Sequence, residues 1–144
     1  MRSEKIAPKG TAVPVGQYSH AIKVSPKHLV FVAGQVPIDK DGNVVGVDRN
    51  QKLMNHHTID LAIQVRQTFL NVKAALEAAG ASLKDIVRLD TYVVSCALNE
   101  WRTVGRNVKS EMLGNVHPPG ATVFVVGLMI PEALVEISAI AAID

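Results

Sequence analysis

One carboxylate stands where a carboxylate costs free energy. Glu136 interrupts Leu134 to Ile143, a run otherwise built of apolar and small residues, and a charge taken out of water must be compensated. It is either a structural carboxylate hydrogen-bonded across a subunit contact or a proton carrier in a catalytic site. His117, just before Pro118-Pro119, could donate to an anionic substrate, the bland alternative being a solvated loop histidine. His56-His57 is an adjacent pair whose side chains point apart, so it makes no metal site without ligands from elsewhere, about three or four being needed in all. Cys96 ends a strand with no nucleophile motif around it, which favours a buried, inert thiol. Gly120 and Gly127 lack phosphate-loop spacing, and no lysine follows them. No metal site is expected from these residues.

The stretch that positions Glu136 begins at Pro118. Between Ala121 and Ile130 both alternating faces are apolar, with Thr122, Phe124, Val126, Leu128 and Ile130 on one and Val123, Val125 and Met129 on the other, which predicts a strand covered on both sides. Pro131 cannot donate to a ladder and closes it, and Leu134 to Ile143 returns as the second strand of a hairpin. Upstream, residues 1–16 carry Pro8, Gly10, Pro14 and Gly16 and read as an extended arm that can lie over a neighbour. His20 to Val24 and Leu29 to Ala33, joined by Ser25-Pro26-Lys27 and ended by Gly34, read as another hairpin. Asp39 to Asn55 holds the turn signal Asp41-Gly42-Asn43 and otherwise has no period, so it reads as a loop.

Thr58 as N-cap and Leu61, Val65, Phe69, Val72, Leu76 and Ala79 at helical spacing predict an amphipathic helix ended by Gly80. Val87 to Val93 alternates as a half-covered strand with Arg88, Asp90 and Tyr92 on its polar face. Asn99 reads as the cap of a second helix with the stripe Trp101, Val104, Val108 and Met112, ended by Gly114. The order β-β-α-β-α-β-β predicts an α+β domain, one mixed sheet with both helices on one face. The other face is then apolar and needs cover.

Composition narrows the class. A chain of 144 residues that is 48% hydrophobic and 19% charged fits a single domain over 1–144 with an apolar surface to spend on a second copy. Net charge is +2, with few aromatics and no run of basic residues, which argues against nucleic acid as a partner. A single cysteine excludes an internal disulfide, and no signal-peptide core or membrane-length apolar span is present. A cytoplasmic location is expected.

The segments Gly16-Gln17-Tyr18-Ser19-His20-Ala21, Val32-Ala33-Gly34-Gln35-Val36-Pro37, Asn71-Val72, Ala78-Ala79-Gly80, Leu134-Val135-Glu136-Ile137 and Ala139-Ile140-Ala141, in this order and spacing, resemble the Rid (YjgF) family across nearly the whole chain. The resemblance implies a chorismate-mutase-like fold, a homotrimer whose sheets pack into a central barrel, and ligand clefts between subunits. It also implies hydrolysis of reactive enamines or imines to ketones and ammonia without a metal or an organic cofactor. Tyr18, Gly34 and Glu136 match that pattern, which makes Glu136 and Tyr18 the catalytic candidates and places Gly34 at the substrate. The chain departs from it where deaminase members carry an arginine that pairs with the substrate carboxylate, since the positions here are Gly120, Ala121 or Thr122. Those three and His117 are the remaining substrate-binding candidates, and Gly105 stands where members place an asparagine.

No nearby residue is expected to replace the arginine's two parallel donors, so a related but different substrate is anticipated and short 2-imino acids should be poor ones. The main expectation is a small-molecule hydrolase or deaminase acting by water attack. The alternative is a non-catalytic ligand-binding or protein-interacting trimer. A ribonuclease reading, attached to the family by name, fits poorly with scattered basic residues.

Overall fold

The computed structural model describes residues 2–53 and 56–144, with residues 2, 51–53, 56 and 57 as backbone only. Its strands are β1 (Arg2–Ile6), β2 (Ala21–Ser25), β3 (His28–Gln35), β4 (Val47–Leu53), β5 (His56–Ile59), β6 (Ile86–Val94), β7 (Thr122–Val125) and β8 (Val135–Ile143). The helices are α1 (Leu61–Ala78), α2 (Leu98–Glu100) and α3 (Arg106–Leu113), and a π-helical turn, Trp101–Gly105, joins the last two. The central sheet is mixed, in the order β3-β8-β6-β7, with β7 parallel to β6 and the other pairs antiparallel. Both long helices lie on one face. Helix α1 packs across β8 and β3, with α3 beside it.

The core follows the expected helix stripe. Leu61, Val65, Phe69, Val72 and Leu76 are fully buried against Val135, Ile137, Ala139 and Ala141 of β8 and Leu89 and Val93 of β6. Val108 and Leu113 of α3 and Trp101 complete it, while Val104 points outward. The helix begins one residue pair later than Thr58 suggests. Asp60 is its N-cap, its carboxylate accepting from the Ile63 N–H at 3.0 Å, while Thr58 belongs to β5. Asn99 likewise lies inside the second helical segment rather than capping it. Gly105 is required there because a Cβ would collide with the Trp101 ring.

Pairing departs from the two expected hairpins. β7 and β8 do not touch, because β6 lies between them and bonds to both. Alternation says which face a residue occupies and nothing about its partner, and β6 offers two free edges. The strand also stops at Val125 rather than Ile130, and Val126 and Met129 are 97% and 91% exposed in the single chain. β2 pairs with β1 and not with β3. Pro26 has no N–H to give, and the Lys27 N–H goes to the Ile143 carbonyl at 3.1 Å, which seats β3 beside β8 instead. The start of the expected arm is therefore a strand, Arg2–Ile6.

The expected loop Asp39–Asn55 also contains a strand. Its turn is as read, with the Asp39 carboxylate accepting from the Asp41 and Asn43 N–H groups, but Val47–Leu53 then pairs with β5. A ribbon of polar residues has no burial alternation to announce it. The face of the central sheet away from the helices is open. Phe31 is 72% exposed there, with Leu29 on the same strand and Tyr92 and Val123 farther across.

Candidate functional site

The candidate residues fall into two groups. The first is on the open face. Glu136 stands directly opposite Tyr92 of β6, and on its other side the ladder is broken by an irregularity between Val32 and Gln35 of β3. Gly34 sits in that break. A Cβ there would collide with Glu136 Oε1, so the bare backbone at Gly34 is what leaves room for the carboxylate. Glu136 is half-buried, and among the described residues nothing donates a hydrogen bond or a salt bridge to it. Among the described residues no hydrogen bond or ion pair gives it a structural role.

The start of β8 is positioned by Gln64, a fully buried residue of α1. Its amide nitrogen donates to the Val45 and Glu132 carbonyls at 3.1 and 2.8 Å, and its oxygen accepts from the Leu134 N–H at 2.8 Å. The side chain thereby ties helix, preceding loop and strand together two residues before Glu136. Glu132 itself has positive φ, 67°, as the turn that begins at Pro131 demands.

The second group lines a cleft of about 600 Å³ at the β7 edge, on the helix side of the sheet. Gly16 to Tyr18 forms one wall, Pro118 to Thr122 the floor, and the outward surface of the π-turn and α3 the other wall. The first wall is pinned by backbone contacts. Gln17 Nε2 donates to the Gly114 and Val116 carbonyls, and Ser19 Oγ donates to the His117 carbonyl at 2.7 Å. The Tyr18 ring stands edge-on to His20, 6.1 Å between centroids. His117 thus contributes its main chain, which anchors the Tyr18 segment, and its side chain is not among the cleft-lining groups. Gly120 presses on β6, since a Cβ there would collide with the Leu89 carbonyl, while the Leu89 N–H donates to Pro119 and the Thr91 N–H to Ala121.

Three cations line this cleft that the sequence reading passed over. Arg102, Arg106 and Lys109, spaced four and three residues apart, share one face of the helix. They share the cleft with the positions that lack the family arginine, so basic groups are present there, as three separate side chains rather than one fork of two parallel donors. Among the described residues none of the three pairs with a carboxylate. The spacing was visible, but a cation row opposite an apolar stripe usually marks a solvated helix face.

Asp90 is an acid whose charge reaches this cation row through Lys109. Arg88 holds it at 2.7 and 3.3 Å, and it accepts from the Ala121 N–H at 3.0 Å. Burial works against its ionisation, but the Arg88 hydrogen bond, the Ala121 N–H and the charges of Arg88 and Lys109 outweigh it and hold the carboxyl below its ordinary value. Lys109 is held below its ordinary value too, which for a base disfavours the charged form. Burial pushes its ammonium down and Arg106 adds to that, with Asp90 opposing.

Tyr92 was also passed over as a candidate. Its register places it beside Glu136, which only the β6–β8 pairing reveals. Cys96, expected buried, is exposed. The His56-His57 side chains lie outside the described residues. Among the described residues no helix is long and apolar enough to cross a membrane.

Comparison with known proteins agrees with this fold. A family model described as Endoribonuclease L-PSP matches residues 9–143. A RutC family protein of Pyrococcus abyssi is 36% identical over 142 residues, 98% of each chain, and the 3-aminoacrylate deaminase RutC of Acinetobacter baylyi is 32% identical over 143 residues, again 98% of each. Among solved structures, the Rid-family protein YyfB from Yersinia pestis superposes with a TM-score of 0.81 at 29% identity, covering 99% of this chain and 100% of that one. RidA from an Antarctic Psychrobacter gives 0.62 at 28% identity, covering 97% and 99%. With one family model spanning almost its whole length, relatives above 30% identity end to end and the same mixed sheet in solved members, the chain belongs to the Rid (YjgF) family.

Proposed function

We propose that this protein hydrolyses a small enamine or imine that carries a carboxylate, releasing ammonia. The observation that carries the reading is a pair of charges of opposite kind that make no ion pair among the described residues: the carboxylate of Glu136, laid against Gly34, and the cations Arg102, Arg106 and Lys109 of the cleft. A carboxylated substrate supplies the missing anion. One relative's name, 3-aminoacrylate deaminase, denotes such a substrate, an enamine bearing a carboxylate.

The two groups occupy the open sheet face and the β7 edge of one chain, so in this reading the complete site forms between copies, in a trimer. Glu136 of one copy holds a water and removes its proton as it attacks the imine carbon. Tyr18 of the neighbour, at the cleft wall, passes a proton to the departing nitrogen. Neither step calls for a metal. The guanidinium groups of Arg102 and Arg106 orient the carboxylate as separate charges rather than as a single bidentate fork, and each charge-assisted contact contributes about 1.5 to 3 kcal/mol.

The test is ammonia release from 3-aminoacrylate and from short 2-imino acids generated in place by an amino-acid oxidase. Turnover of 3-aminoacrylate, faster than of the short 2-imino acids and with a KM that rises with ionic strength, is the expected result. Saturable binding of these compounds without ammonia release would replace the enzymatic reading with a ligand-binding trimer, and neither binding nor release would end both.

A further inference from the structure

We propose that Lys109 is a covalent participant, adding through Nζ to the imine or carbonyl carbon of the acid bound in the cleft. The step rests on the reading of that cleft as a site for carboxylated imines. Lys109 lines the same cavity as Tyr18, Ala121 and Thr122 and is half-buried there. Arg102 and Arg106, about two turns and one turn before it, line the same cavity, so an acid whose carboxylate meets the guanidinium groups shares that cavity with Nζ. From β6 the facing charge is Asp90, and Arg88 and the Ala121 N–H already occupy that acid. From the opposite wall the facing titratable group is Tyr18.

A lysine in such a place has two uses. It can remain an ammonium and serve as a third point charge for the anion, or it can shed its proton and act as an amine nucleophile. Burial beside Arg106 favours the second, since both disfavour the charged form. Two guanidinium groups already suffice for one carboxylate. The neutral amine then adds to the C=NH₂⁺ carbon, forming a C–N bond, and one proton moves from Nζ to the substrate nitrogen. Ammonia leaves with the electrons of its C–N bond, and a lysyl iminium remains. The water that Glu136 deprotonates adds to that carbon, the lysine departs as the amine, the oxo acid is released, and the remaining proton ends on the ammonia as ammonium. Atoms and charge balance with water as the sole co-reactant.

The probe is pyruvate or glyoxylate with cyanoborohydride, applied to the intact oligomer and read by intact mass and peptide mapping. The expected result is one reduced adduct per chain, mapping to Lys109 and lost in Lys109→Arg, which keeps the charge. Mapping in the unmodified protein makes the result independent of whether the variant folds. An adduct spread over surface lysines, equal in both proteins, overturns the proposal, as does a Lys109→Arg variant that turns over imines at the original kcat. An adduct at Lys109 in a protein that releases no ammonia from any imine leaves this inference standing and removes the deaminase reading instead.

Discussion

At the scale of single residues, Glu136 and Lys109 make opposite demands on the fold. Glu136→Gln preserves shape and removes the base. In the catalytic reading turnover falls by about 10² or more with the oligomer intact, whereas a purely structural carboxylate tying copies together would give a lower melting temperature and a dissociating oligomer at undiminished activity per trimer. Turnover and light scattering on one preparation separate the two. Lys109 is costly to the fold because its ammonium is partly desolvated. Its folded-state pKa is depressed, so the unfolded chain binds the extra proton between the folded value and the ordinary value of about 10.4, and stability rises with pH across that interval. Below the interval the penalty is fully present. Lys109→Met should therefore raise the melting temperature at neutral pH, with the gain shrinking as the pH climbs toward about 10. A variant that melts lower than the parent at neutral pH would show that the ammonium is compensated after all.

At the scale of elements, what could be read in the sequence and what could not divide along the burial signal. Helix α1 was legible because five core residues repeat at its period, and β6 because one face is apolar and the other charged. Glu136 and Gly34 were legible as residues, yet their contact depends on the irregularity in β3, which no local pattern announces. β4 and the true neighbours of β7 were illegible for one reason: strand pairing is decided by long-range hydrogen bonds, such as Lys27 to Ile143, that leave no periodicity. The polar glue inside the core was missed too, because a glutamine in an apolar stripe reads as a surface residue. Gln64 instead satisfies three backbone groups at once. Replacing it with leucine strands the Val45, Glu132 and Leu134 groups, and unsatisfied buried groups cost about 1 to 3 kcal/mol each. Gln64→Leu should thus lower stability by at least about 2 kcal/mol, and activity should fall more steeply than the folded fraction because the start of β8 carries Glu136. Denaturant titration alongside turnover checks it, and a variant of unchanged midpoint would refute the tie.

At the scale of the whole molecule, the open sheet face and the cationic cleft are two halves of one hypothesis. A sheet face with Phe31, Leu29 and Val123 uncovered and a loop with Val126 and Met129 almost fully exposed is expensive for a monomer in water, so cover by further copies is expected. If copies close into a ring, each contact is heterologous and brings the Glu136 group of one chain to the cleft of the next. That geometry has a signature no monomer site can imitate. Take one variant dead at Glu136, Glu136→Gln, and another dead in the cleft, Tyr18→Phe with Arg106→Ala. Each alone forms trimers without a complete site. When the two are co-refolded in equal amounts, random assortment pairs an intact Glu136 with an intact neighbouring cleft at about a quarter of the interfaces. Ammonia release should then return to about a quarter of the parent rate, and only in the species that elutes as a mixed oligomer. Mixing the folded proteins without subunit exchange should restore nothing. If the co-refolded trimer contains both variants and stays silent, the site is contained in a single chain, and the open face is then an assembly surface without a part in the chemistry.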